Sequence, residues 1–150
     1  EGSPQMNSVC LFMAGMLCCA AASAAEVVGA DPIAPTDCAL LSQEVVVRLS
    51  AGVSGAWTCD ENARNVKVAA CSRYGSLKSA SIDCAAVDLD ADGTPRFNVS
   101  GCSGDTSQSI EVAGPRAYVA SLWFPASVAV GLGGVCSDQT ILTVDFLEED

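Results

Sequence analysis

The chain contains no histidine, only seven basic residues, and aromatics at just 5% of its 150 positions. Each shortage excludes something. Without histidine there is no copy of the commonest general base or of the commonest transition-metal ligand. Seven basic residues against 18 acidic ones give a net charge of -11, which argues against nucleic acid as a partner, because phosphate contacts need a basic face. Charged residues are also scarce, at 17%, while 50% of the chain is apolar. That composition is too apolar for a disordered acidic tail. The length supports one domain.

Apolar character is concentrated first at residues 9–25, which read VCLFMAGMLCCAAASAA and carry no charge. An apolar run that thins into small residues fits a secretory signal peptide, so residues 1–25 are assigned to one, starting at Met6 and cleaved after Ala24 or Ala25. A retained membrane anchor is the competing reading, but a span wants about 20 apolar residues and this run is shorter. No Lys or Arg occurs before Arg48, so the usual positive flank is missing. Cleavage would remove Cys10, Cys18 and Cys19. The remaining six, Cys38, Cys59, Cys71, Cys84, Cys102 and Cys136, are an even set that predicts three disulfides in a secreted or cell-surface protein. Spacing alone does not choose their pairing. Zinc is disfavoured, since no Cys-x2-Cys pair and no histidine exist.

After the leader the pattern is β. Residues 26–37, with Pro32 and Pro35, read as an extended N-terminal arm. Strand candidates then follow at Gln43–Ser50, Gly55–Cys59, Asn65–Cys71, Lys78–Ala85, Arg96–Ser100, Gln108–Ala113, Ala117–Phe124, Ser127–Gly131 and Gln139–Phe146, separated by Gly, Asn, Asp and Ser. This predicts an all-β, disulfide-stapled antiparallel sandwich or barrel of about eight to nine short strands over residues 38–147. Residues 148–150 (Glu-Glu-Asp) read as a solvated acidic tail.

The sharpest motif is Asp88-Leu-Asp90-Ala-Asp92-Gly93-Thr94. Carboxylates at alternate positions before a glycine let a tight loop wrap a hard cation, and Ca2+ accepts such oxygen sets. The segment resembles the Asp-x-Asp-x-Asp-Gly calcium loops of EF-hands and of integrin-type propeller repeats. That resemblance implies side-chain ligands from Asp88, Asp90 and Asp92 and a carbonyl from Thr94. The ninth and twelfth positions, Arg96 and Val99, depart from the EF-hand pattern. The bland alternative is an acidic β-turn. Asn98-Val99-Ser100 is a glycosylation sequon.

Catalytic candidates lack partners. Lys67 and Lys78 are the only lysines available as bases, and neither stands in a Ser-x-x-Lys motif. The expectation is therefore a protein that is not an enzyme and requires no cofactor, with Ca2+ as the one optional ion. Tyr118, Trp123 and Phe124 fall within seven residues and form a candidate binding face, against the alternative that they fill the core. The whole resembles exported bacterial fimbrial or surface subunits in architecture. That likeness implies a structural subunit of a pilus-like filament or coat, meeting copies of itself or other subunits through strand edges or the N-terminal arm. The alternatives are a secreted calcium-assisted module that binds a glycan, and a disulfide-stapled effector or inhibitor. None of these readings gives the mature chain a membrane partner.

Overall fold

A computed structural model describes residues 25–29, 31–90, 92–105, 107–124 and 126–147. The expected signal segment through Ala24 and the acidic tail 148–150 lie outside the described residues.

Alternation builds the main sheet. β2 (Val53–Asp60) and β3 (Asn65–Ser72) form an antiparallel hairpin in unbroken register, from Val53 opposite Ser72 to Asp60 opposite Asn65. Along β3 every second residue, Asn65, Lys67, Ala69 and Cys71, is buried, so one face of the strand points to the core. β8 (Arg116–Ser121) pairs with β3, and β9 (Val128–Gly131) pairs with β8. On the other side, β1 (Glu26–Val27) adds a two-residue edge to β2. The order β1-β2-β3-β8-β9 leaves β1 and β9 unpaired with each other, so this antiparallel sheet is not a closed barrel. Two smaller antiparallel pairs complete the strands: β4 (Ala80–Asp83) with β7 (Ser109–Val112), and β5 (Ala86–Leu89) with β6 (Pro95–Phe97).

The core sits on the inner face of the five-stranded sheet. Ala56, Ala69, Ala117, Val119 and Val130 meet Ile141, Val144, Phe146 and Leu147 from the chain's last described segment. Ala56 and Ala69, directly opposite each other on β2 and β3, present little bulk to that segment. It is not the strand expected at Gln139–Phe146. Asp138–Leu142 is a short helix, α1, and Asp145–Leu147 a 3-10 turn. The reason is local: the Ser137 hydroxyl accepts from the Thr140 backbone N–H at 3.1 Å and caps α1.

The strand expected at Gln43–Ser50 is also absent. Only Val45 bonds to another strand-like residue, exchanging two 2.9 Å backbone hydrogen bonds with Ile33. Residues 28–29 and 31–49 instead lie across the outer face of the sheet. Val28, Ile33, Leu40 and Leu41 pack on Trp57 and Cys59 there, and the Cys38–Cys59 disulfide fastens them. Gly55 permits the approach: a methyl group on it would come within 3.0 Å of Leu49 and 3.4 Å of Val28.

The six expected cysteines form three disulfides, Cys38–Cys59, Cys71–Cys136 and Cys84–Cys102. Such bonds persist in oxidising, extracellular settings. Among the described residues no helix is long and apolar enough to cross a membrane.

Candidate interaction face

Strand register defines the outer face residue by residue. Lys67 opposite Ser121 and Cys71 opposite Ala117 put odd-numbered β3 and β8 positions inside, so even-numbered ones point outward. Across the sheet the outward set is Gly55, Trp57 and Cys59 on β2, Val66, Val68 and Ala70 on β3, and Arg116, Tyr118 and Ala120 on β8. Leu122 extends the last row, donating its backbone N–H to the Val66 carbonyl at 3.1 Å. The β2 half lies under residues 28–29 and 31–49. The β3–β8 half does not: Val68 is 44% exposed, Tyr118 57% and Leu122 61%. Arg116, at one end, is the only charged side chain among these β2, β3 and β8 positions; at the covered edge of the sheet, Glu26 on β1 lies opposite Trp57 on the same face. A groove of about 470 Å3 opens beside Tyr118, lined also by Ile82, Asp83, Arg116 and Val128.

The three aromatics singled out in sequence divide. Tyr118 and Trp123 (39% exposed) reach solvent, whereas Phe124 is half-buried. Val68 and Leu122 belong to the same surface and were not marked in sequence. The sequence signal for Val68 pointed the other way, since its alternation with Lys67 reads as an inward valine and an outward lysine, and the structure reverses the two.

The acidic loop is the turn between β5 and β6. Its carboxylates go to different partners. Asp88 is buried and forms an ion pair with Lys67. Asp90 faces Arg96 at 3.6 Å, and Asp92 accepts the Thr94 backbone N–H at 2.8 Å. The Thr94 carbonyl accepts the Asp90 N–H at 2.8 Å, which closes the turn. Among the described residues no group of three His, Cys, Asp or Glu is placed to hold a metal ion.

Two turn carboxylates are tuned. The Thr94 hydroxyl, then its backbone N–H, holds Asp92 below the ordinary aspartate value, and Ser107 does the same for Asp105. A depressed folded-state value contributes stability above the unfolded value and loses it as pH falls through the folded one. Both groups are fully exposed, so the contribution is small. Thr94→Ala is expected to raise the Asp92 midpoint towards the ordinary value while leaving Asp105 unmoved. A carboxyl-detected NMR titration checks both.

Asn98, the sequon residue, is only 7% exposed. Its Oδ1 accepts the Ala85 N–H at 2.8 Å, and its Nδ2 donates to the carbonyls of Asp83 at 3.0 Å and Ala129 at 2.9 Å. The larger cleft, about 660 Å3, runs past Asp88, Arg96, Glu111 and Asp145. Its hydroxyl groups are Ser100 and Thr143, and no Lys, Cys or His lines it.

No protein-family model matches the chain, and no curated protein and no solved structure matches it.

Proposed function

We propose that this domain is an exported, non-enzymatic structural subunit of a surface assembly, and that copies meet through the uncovered half of the outer sheet face. The observation that carries the reading is the exposed, almost uncharged row of Val68, Tyr118 and Leu122. A second copy is the occupant the charge distribution favours. Two chains each at -11 repel over most of their surfaces, so like copies approach best where charge is missing. Exposed apolar residues contiguous across two strands are also the usual material of an interface centre. Residues 26–37 support the face rather than the arm as the contact. Glu26 and Val27 are paired to β2, and Ile33 is packed on Trp57 and Cys59.

The test is sedimentation velocity with negative-stain microscopy on the oxidised protein at micromolar concentration. Ordered filaments or high-mass species are expected from the native chain. Tyr118→Lys should weaken association about tenfold or more, with circular dichroism and all three disulfides unchanged. A native chain that stays monomeric overturns the proposal. Association that survives Tyr118→Lys and Val68→Lys together overturns the choice of face.

A further inference from the structure

The inner face of the main sheet holds one lysine. Lys67 is 4% exposed and sits between the buried hydroxyl residues Thr58 and Ser121 in the strand register, at the edge of the apolar core cluster. Lysine is almost never this buried unless paired. Its partner is Asp88, 2% exposed, from a different sheet. A register shift between Ala86 and Asp88 explains how Asp88 comes to face inward. It is an irregularity of the β5–β6 pair that leaves the neighbours Val87 and Asp88 both buried.

The local geometry is that of two reactive groups held in contact and almost fully buried. Lys67 Nζ meets Asp88 Oδ2, and the two side chains are 5% and 3% exposed. Apart from that contact Oδ2 has no hydrogen-bond partner, while Oδ1 accepts the Leu89 N–H at 3.0 Å. The Phe146 ring lies 5.8 Å from Nζ and closes the site. Kept as an ion pair, this arrangement is costly, since burying each charge costs several kcal/mol that only good geometry offsets. The same contact brings a primary amine directly onto a carboxyl group.

We propose that Lys67 and Asp88 condense to an intramolecular isopeptide bond joining β3 to β5. One Nζ proton passes to Oδ2 along the existing contact. The Nζ lone pair then attacks Asp88 Cγ, forming the C–N bond. The tetrahedral intermediate breaks its Cγ–Oδ2 bond, and Oδ2 leaves as water with a second proton from Nζ. The ammonium and carboxylate thus become one amide, one N–H and one water. No oxidant, cofactor or external reactant takes part. Holding the groups in contact supplies what a dilute amine and acid lack, because well-oriented neighbours behave as if at concentrations of about 10^5 M or more. Burial of both side chains limits the access of water that would reverse the step, although the cleft runs past Asp88.

The bond would complete a covalent frame. Lys67 lies on the same strand as Cys71, which bonds Cys136, and Asp88 lies on the strand that follows Cys84, which bonds Cys102. Reduction would then leave β3 and β5 joined. The inference does not depend on the assembly proposed above.

Mass spectrometry decides it. Protein expressed from the full sequence is purified folded, then reduced, denatured and weighed. Its mass is expected to be lower by one water than its own reduced sequence, and proteolysis should yield a branched peptide containing Lys67 and Asp88. Lys67→Arg keeps the charge and cannot condense. Asp88→Ala removes the acceptor. Both should run at full sequence mass, and Lys67→Arg should retain the native circular dichroism and all three disulfides. A native, folded chain at full mass overturns the proposal. So does a water loss that persists in Lys67→Arg, or one mapped to a linear peptide at Asp92-Gly93, where an aspartate before glycine can close on its own backbone.

Discussion

Replacing Cys71 and Cys136 together by alanine is expected to cost about 4 kcal/mol of folding stability, more than the loss of either other disulfide. The reason lies in what each bond closes. Cys71–Cys136 spans 65 residues, whereas Cys38–Cys59 spans 21 and Cys84–Cys102 spans 18. Loop-closure entropy in the unfolded chain grows with span, which gives about 4 kcal/mol for the first and about 3 kcal/mol for each of the others. Packing adds to the ranking. Both half-cystines of the long bond belong to the main core cluster, beside Ile141 and Phe146, so alanine there also leaves a void. The bond further holds the segment that enters α1 against β3. Small domains are stable by only about 5–15 kcal/mol, so this single change removes a large share. Urea unfolding at equilibrium, run on the three paired-alanine variants, tests the order. If the Cys71/Cys136 variant loses no more than the Cys84/Cys102 variant, native packing outweighs chain entropy here.

The sequence made some of this structure legible and hid the rest for identifiable reasons. β3 was readable as a strand because Val66 and Val68 alternate with Asn65 and Lys67, but the faces are inverted from that pattern: Asn65 and Lys67 are buried and Val68 is exposed. Gln43–Ser50 shows the limit of the same reasoning. Its Val45-Val46-Val47 run has strong strand preference, yet strand preference measures fit to a pleated, half-covered surface, and this segment meets that need by lying on a sheet. α1 was missed because five residues are too few to show a helical period. Its capping sequence, Ser137-Asp-Gln-Thr140, was the one visible signal. The pairing of six cysteines was closed to sequence reasoning, since distance along the chain does not report distance in space. In the acidic loop the hidden feature is a partner. Asp88 looked like the first of three equivalent carboxylates, but a register shift turns it inward to Lys67, 21 positions earlier. Only the tertiary fold brings those two together.

Asn98→Ala is expected to cost about 3 kcal/mol, an unusual sum for one polar side chain. The amide ties three segments at once. It receives the Ala85 N–H between β4 and β5, and it donates to Asp83 at the end of β4 and to Ala129 on β9. Each bond is worth roughly 1 kcal/mol net, and truncation leaves a buried donor and two carbonyls without their partner. Asn98→Asp separates the contributions. The carboxylate still accepts from Ala85 but donates nothing, and it stands against two carbonyl oxygens. It should therefore destabilise at least as much as alanine at neutral pH, with the gap narrowing in acid as the carboxyl gains a proton to donate. Urea melts at two pH values read both effects. The same geometry bears on the Asn98-Val99-Ser100 sequon. A glycan replaces one Nδ2 hydrogen, and both hydrogens are already committed to Asp83 and Ala129. Secreted from a glycosylating host, the folded domain is expected to carry no sugar at Asn98, which intact mass reports directly. A glycosylated chain of native stability would mean that those two bonds contribute little, and the alanine variant would then be close to neutral.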